Sequence, residues 1–152
     1  MEIPVLDIEL LKLDPRVNLA YATEGSAAVD LPALIESPLL LVSGESKRIG
    51  ARFKMNIQVP PGLHVAAVVV PRSGWGSRGL VIANTVGLID ADYQGEVMMT
   101  LLNRSKEPLV IQPGERIMQM FFIPVLRAQF TEVESFTAVT ERGEGGFGSS
   151  GS

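Results

Sequence analysis

The 152-residue sequence predicts an all-β domain. Three observations carry that reading. Turn signals built from Gly, Pro, Asp and Ser recur along the whole chain. The runs between them are short and rich in Val, Ile, Leu and Phe. No stretch shows helical periodicity over three turns. Many short strands punctuated by such turns build a sandwich or a barrel.

The turns are DPR at 14–16, SGES at 43–46, PPG at 60–62, SGWGSRG at 73–79, SKEP at 105–108 and PG at 113–114. Between them, FKMNIQV at 53–59 alternates apolar and polar, which puts Phe53, Met55, Ile57 and Val59 on one face. VAAVVV at 65–70 is apolar at every position, so both faces of that strand are expected to be covered. A short helix is allowed near 74–78. RIMQMFFIPV at 116–125 is too apolar for a strand with one wet face, and packing against another subunit would account for it. FTEVESF at 130–136 repeats the alternation more weakly and predicts one more strand. No internal repeat is present. One boundary is worth drawing, between a β body at 1–137 and a tail at 138–152. The tail ends in RGEGGFGSSGS, which has almost nothing apolar to bury except Phe147.

Composition narrows the function. The chain is 46% hydrophobic and 20% charged, ordinary for a globular domain. Its apolar runs fall far short of the ~20 residues that span a bilayer. MEIPVLDIEL at the start lacks a basic segment ahead of an apolar one, so no signal peptide is expected. There is no Cys, which removes disulfides, thiolate nucleophiles and Cys-ligated zinc, and fits a reducing compartment. A net charge of −4 disfavours generic binding to nucleic acid or membrane. A phosphate ligand would need gathered Arg side chains and backbone N–H groups, or a divalent cation.

Five stretches could carry chemistry. PRSGWGSRG at 71–79 is either a plain Gly-rich connection or a phosphate cradle with Arg72 as a fork, Ser73 as a hydroxyl and close backbone approach at Gly74. NTVGLIDADYQGE at 84–96 reads as a hairpin, and its DADY brings Asp90, Asp92 and Tyr93 to a strand end, where a carboxylate can serve as general base or hold metal-bound water. GSAAVDL at 25–31 sets Asp30 among apolar neighbours, where turn capping is the plain reading. PGERIMQM at 113–120 puts Gln119 inside an apolar strand, where it needs hydrogen-bond partners. His64, the one His, is expected at an exposed or edge position.

These stretches, in this order and ending in RGEGGFGSSG, resemble the five motifs of the trimeric dUTP diphosphatase (dUTPase) family over roughly residues 3–151. The resemblance implies a jelly-roll-like β-barrel subunit in a homotrimer with active sites at subunit interfaces, and a cytoplasmic location, in the host cell if the protein is viral. It implies hydrolysis of dUTP to dUMP and pyrophosphate with Mg²⁺, which keeps uracil out of DNA and supplies dUMP for thymidylate synthesis. Residue by residue, Asp30 would hold waters on a Mg²⁺ carried mainly by the triphosphate. Arg72, Ser73 and Gly74 would contact the phosphates. Asn84 with the backbone of Gly87, Leu88 and Ile89 would read uracil. Asp90 would activate the attacking water, Tyr93 would lie against the deoxyribose, and Gln119 would bind the α-phosphate. Arg142 would meet the γ-phosphate, Phe147 would cover the uracil, and Gly148, Ser149 and Ser150 would wrap the phosphates. The chain departs from the family pattern at Ala28, often Gly, at Val29, usually Leu or Met, and at Trp75, often Leu, in a loop one residue shorter than in many bacterial members.

Three other readings compete, of which a plain structural β-trimer leaves the Gly-rich tail unexplained. A dCTP deaminase shares the fold and an RSS-type phosphate loop, but needs groups that activate water against cytosine, typically including a Glu. The IDADY hairpin and the GGFG tail point away from it. A non-enzymatic role as a regulatory partner of another protein, known for some members, stays open as a second function, but a catalytically dead member is expected to lose Asp90, Tyr93 or the tail, and this chain keeps all three.

Overall fold

The structure, a computed structural model, describes residues 5–148. Eleven strands and one short helix follow in order: β1 (Asp7–Lys12), β2 (Val29–Pro32), β3 (Leu39–Leu41), β4 (Ser46–Gly50), β5 (Phe53–Gln58), β6 (Val65–Pro71), α1 (Ser73–Arg78), β7 (Leu80–Ile82), β8 (Gly87–Asp90), β9 (Met98–Asn103), β10 (Leu109–Ile111) and β11 (Arg116–Pro124). The fold is all-β and jelly-roll-like, as expected. Among the described residues, no helix is long and apolar enough to cross a membrane.

Every strand pairing is antiparallel. Four small sheets result, ordered β1-β5, β10-β3, β2-β11-β6-β8 and β4-β9-β7. Their inner faces close on one core around Phe53, Leu41, Leu80, Met99, Leu101, Ile117, Met118 and Met120. In β5 the alternation works as read: Phe53, Met55 and Ile57 are buried while Lys54 and Gln58 face water. In β6 Ala67 and Val69 join the core, and Ala66 and Val68 on the opposite face are buried as well.

That opposite face organises the site. Side chains alternate along a strand, so cross-strand partners share a face. Asp30 pairs with Gln119 and Gln119 with Val70, and they form one row. Phe121, Val68 and Leu88 form the next, and Ile123, Ala66 and Asp90 the last. The row of Phe121, Val68 and Leu88 therefore separates Asp30 and Gln119 from Asp90. Leu88 is 64% exposed and Phe121 and Ile123 are half-buried, so this face leaves apolar surface open to solvent.

Two local features depart from simple alternation. A register shift in β11 between Arg116 and Met118 buries both Ile117 and Met118. Such a bulge re-aims a neighbouring side chain, and here Arg116 reaches the β2 carboxylate. FTEVESF at 130–136 forms no strand, contrary to its alternation: Phe130 and Phe136 are almost fully exposed. A period of two makes a strand only where an edge offers hydrogen bonds, and none pairs with this segment.

Candidate functional site

The Gly-rich stretch after β6 becomes a helix because of its ends and its one large side chain. Arg72 is extended and precedes the first turn. Trp75 turns into the core, and the Arg78 guanidinium lies 4.2 Å above its ring centre. Gly79 ends the helix at φ +104 and donates its N–H to the Gly76 carbonyl. A side chain at this position would also strike Ser105. The bulky Trp75 therefore anchors the loop instead of distorting it. Ser73 and Gly74 occupy its first turn, exposed, and an α-helix leaves its first N–H groups without intrahelical partners.

Beside this turn lies a cleft of about 250 Å³ whose lining includes Asp30, Arg72, Ser73 and Gln119. Asp30 does not cap a turn; it sits inside β2 as an acceptor for two arginines. Arg72 Nε lies 2.8 Å from Asp30 Oδ1 and Arg116 Nη1 3.1 Å from Asp30 Oδ2. Arg72 is tied further by its own N–H to the Ile117 carbonyl at 3.0 Å. Gln119 donates to the Pro71 carbonyl at 3.2 Å, the partner its place in an apolar strand required. Arg116 is the member that motif reading did not assign. Its cue in the sequence was only a cation beside Gln119 in PGERIMQM.

The hairpin builds a second cavity, of about 520 Å³. Asn84, Gly87, Leu88, Ile89, Asp90 and Tyr93 all line it. The β7–β8 turn is tight: Thr85 donates to the Ile82 carbonyl and Val86 to the Asn84 carbonyl. Thr85 takes φ +69, an unusual conformation for a β-branched residue, at the point where Asn84 enters the cavity. β8 antiparallel to β6 carries Asp90 to the cavity's edge, exposed, and the Asp90 carbonyl accepts the Tyr93 N–H. Arg48, Met98 and Thr100 also line it, and no sequence motif marked them. His64 is exposed, as expected.

On one chain the two cavities do not merge. Val70 and Ala66, their landmarks on β6, are four residues apart. At ~3.3 Å per residue and ~4.8 Å per strand, Asp90 stands roughly 16 Å from Gln119 and roughly 20 Å from Asp30. The described tail residues join neither cavity. Arg142 Nε donates to the Gly145 carbonyl, Phe147 is fully exposed at φ +46, and Gly148 follows at φ +88. Ser149 and Ser150 lie outside the described residues. No group of three or more His, Asp or Glu able to hold a metal occurs among the described residues.

Comparison with known proteins identifies the family. A family model described as dUTPase matches residues 17–151. The deoxyuridine 5'-triphosphate nucleotidohydrolase of Glaesserella parasuis serovar 5 (strain SH0165) is 49% identical over 150 residues, covering 95% of this chain and 97% of that protein. The enzyme of the same name from Pasteurella multocida (strain Pm70) is 47% identical over the same shares. Among solved structures, the dUTPase of Staphylococcus bacteriophage 80alpha with dUPNHPP has a TM-score of 0.78 at 25% identity, covering 96% of this chain and 99% of that one.

Proposed function

The chain belongs to the dUTPase family, and from that premise we propose that it hydrolyses dUTP to dUMP and pyrophosphate in the cytoplasm, as a homotrimer whose sites lie between subunits. The single observation that carries this reading is the hairpin cavity. It gathers an amide side chain, backbone polar groups and an aromatic ring around a space of nucleoside size, with a free carboxylate at its edge.

In this reading Asn84 and the backbone of Gly87, Leu88 and Ile89 take the uracil edge, and the Tyr93 ring closes the sugar side. Asp90 accepts the proton of a water aligned on the α-phosphorus; its exposed position leaves room for that water. Attack forms the new P–O bond as the bond to the β-phosphate bridging oxygen breaks, and pyrophosphate departs. Arg72, Ser73, Gly74 and Gln119 receive the phosphates. The tail, as an arm from about residue 138, closes over them with Arg142 on the γ-phosphate, Phe147 on the base and Gly148, Ser149 and Ser150 along the chain of phosphates. Gly lets such an arm follow a ligand closely, and Phe147 supplies the apolar anchor.

The cleft fits a Mg²⁺ that arrives with the nucleotide. Its lining offers a single carboxylate, Asp30, and a cation held mainly by phosphate and water needs no protein cage. When bound, Mg²⁺ would offset phosphate charge, and Asp30 would hold its waters. Asp30, now shared by Arg72 and Arg116, would release part of its hold on Arg72 to the phosphates.

The subunit arrangement follows from distance. A general base and the group that holds the α-phosphate must converge within a few Å, so the roughly 16 Å between Asp90 and Gln119 on one chain calls for a second chain. The apolar outer face of the β2-β11-β6-β8 sheet supports that association. The test is to incubate the protein with Mg²⁺ and dUTP, dCTP, dTTP or UTP and to identify the products. Pyrophosphate and dUMP from dUTP alone is the expected result. No release from dUTP, or dUTP formed from dCTP, overturns the reading.

A further inference from the structure

Tyr93 owes its position to the two residues that follow Gln94. Its ring lies on Gly95: a Cβ there would stand 2.6 Å from Tyr93 Cζ. Its hydroxyl donates to the Glu96 carbonyl at 2.9 Å. Glu96 in turn is held by its side chain. The carboxylate accepts the Arg52 N–H at 3.2 Å and lies over Gly50, where a Cβ would come within 2.7 Å of the carboxylate carbon. Gly50 to Arg52 is the turn between β4 and β5, and it is firmly seated. Ala51 donates to the Val97 carbonyl and Val97 to the Phe53 carbonyl, and all three residues are buried. Arg52 adopts φ +66, unfavourable for a residue with a Cβ, and the Glu96 carboxylate satisfies its N–H in that conformation. From the other side, Gln94 donates to Asn56 Oδ1 in β5.

We propose that Glu96 is a positioning residue for Tyr93: its carboxylate, seated on Gly50 and Arg52, holds the backbone carbonyl that fixes the Tyr93 ring as the sugar-side wall of the cavity. This rests on the reading of Tyr93 as that wall. An aromatic wall rejects an added 2′-hydroxyl only as far as it is rigid, because an apolar surface that can retreat accommodates the extra atom. Glu96 supplies that rigidity from outside the cavity, touching no part of the nucleotide. Gly50 and Gly95 are then required by contact, Gly50 to admit the carboxylate and Gly95 to admit the ring.

The experiment compares wild type, Glu96→Ala, Glu96→Gln and the same changes in a Tyr93→Ala background. Glu96→Ala is expected to lower the dUTP/UTP ratio of kcat/KM about tenfold, a part of the ~10² an apolar wall can provide, while Glu96→Gln, which keeps an oxygen acceptor, stays within about twofold. With Tyr93 already Ala, Glu96→Ala should leave the ratio unchanged. Loss of activity toward both nucleotides in equal proportion, or a Gln variant as impaired as the Ala one, overturns the proposal. A second readout needs no substrate. The chain has two tyrosines, so fluorotyrosine labelling gives two fluorine NMR signals. Glu96→Ala should move the Tyr93 signal and leave that of Tyr21 in place. An unmoved Tyr93 signal overturns the proposal whatever the enzyme does, whereas a moved signal in a protein that does not cleave dUTP refutes the functional reading and keeps the Glu96 contact.

Discussion

Asp90 and Arg72 reside on the same chain but are predicted to serve different active sites, and a mixing experiment separates them. Asp90→Asn is expected to remove the proposed base, a loss of about 10²–10⁴ in rate. Arg72→Ala removes the phosphate fork and leaves Asp30 to Arg116, which holds it at 3.1 Å. Each homotrimer should be nearly inactive. On one chain the two clusters are roughly 20 Å apart by strand register, far beyond the single water that can link a base to its phosphorus. If each site takes Asp90 from one subunit and Arg72 from a neighbour, random assortment at equal ratio restores both groups in about one site in four of a closed ring. The mixture, made by co-expression or joint refolding, should release pyrophosphate at about a quarter of the wild-type rate. If one chain supplied both groups, no mixed trimer would contain a complete site. Activity that stays at the parental level across all mixing ratios refutes the shared-site reasoning. Replacing the Arg72 variant by a chain ending at residue 142 puts the arm to the same question.

Asp90→Asn by itself should abolish turnover yet leave nucleotide affinity and melting temperature close to wild type, because the residue is exposed and surface changes rarely exceed about 0.5 kcal/mol; calorimetric binding with a kcat near wild type would remove Asp90 as base. Selection should be unequal: dCTP rejected by on the order of 10⁴ through mismatched hydrogen bonds at Asn84, and UTP by about 10² through the wall at Tyr93. Tyr93→Ala should therefore collapse the dUTP/UTP ratio, and an unchanged ratio contradicts its role. Sedimentation at low micromolar protein should find a trimer, since Leu88, Phe121 and Ile123 form an apolar face; a stable monomer removes the interface. Deleting 143–152 should leave melting and assembly unchanged, because the side-chain bond of Arg142 stays within the tail and Phe147 touches no core, while kcat falls sharply.

Whatever depends on neighbours along the chain was legible in the order of residues. The alternation of Phe53, Met55 and Ile57 predicted β5, and a Gly-rich run around Trp75 allowed the short α1. The six hairpin residues from Asn84 to Tyr93 fall in one contiguous stretch, so a single turn was enough to gather them into one cavity. FTEVESF shows the limit of that logic. Its alternation is real, but a strand also needs a partner edge, and the sequence of one segment does not say whether an edge is available.

The remaining contacts arise from strand pairing between distant segments. Asp30 meets Arg116 across 86 positions of sequence, and only the β2–β11 register and a bulge in β11 bring them together. The carboxylate of Glu96 finds Arg52 across 44 positions through a turn whose conformation no motif announces. The separation of Asp90 from Asp30 is likewise a matter of register: four residues along β6 and three strand spacings across a sheet. Local pattern sets which face a side chain takes. Which distant partner it meets depends on strand pairing, whose contacts are long-range and stabilise only once the whole sheet has closed.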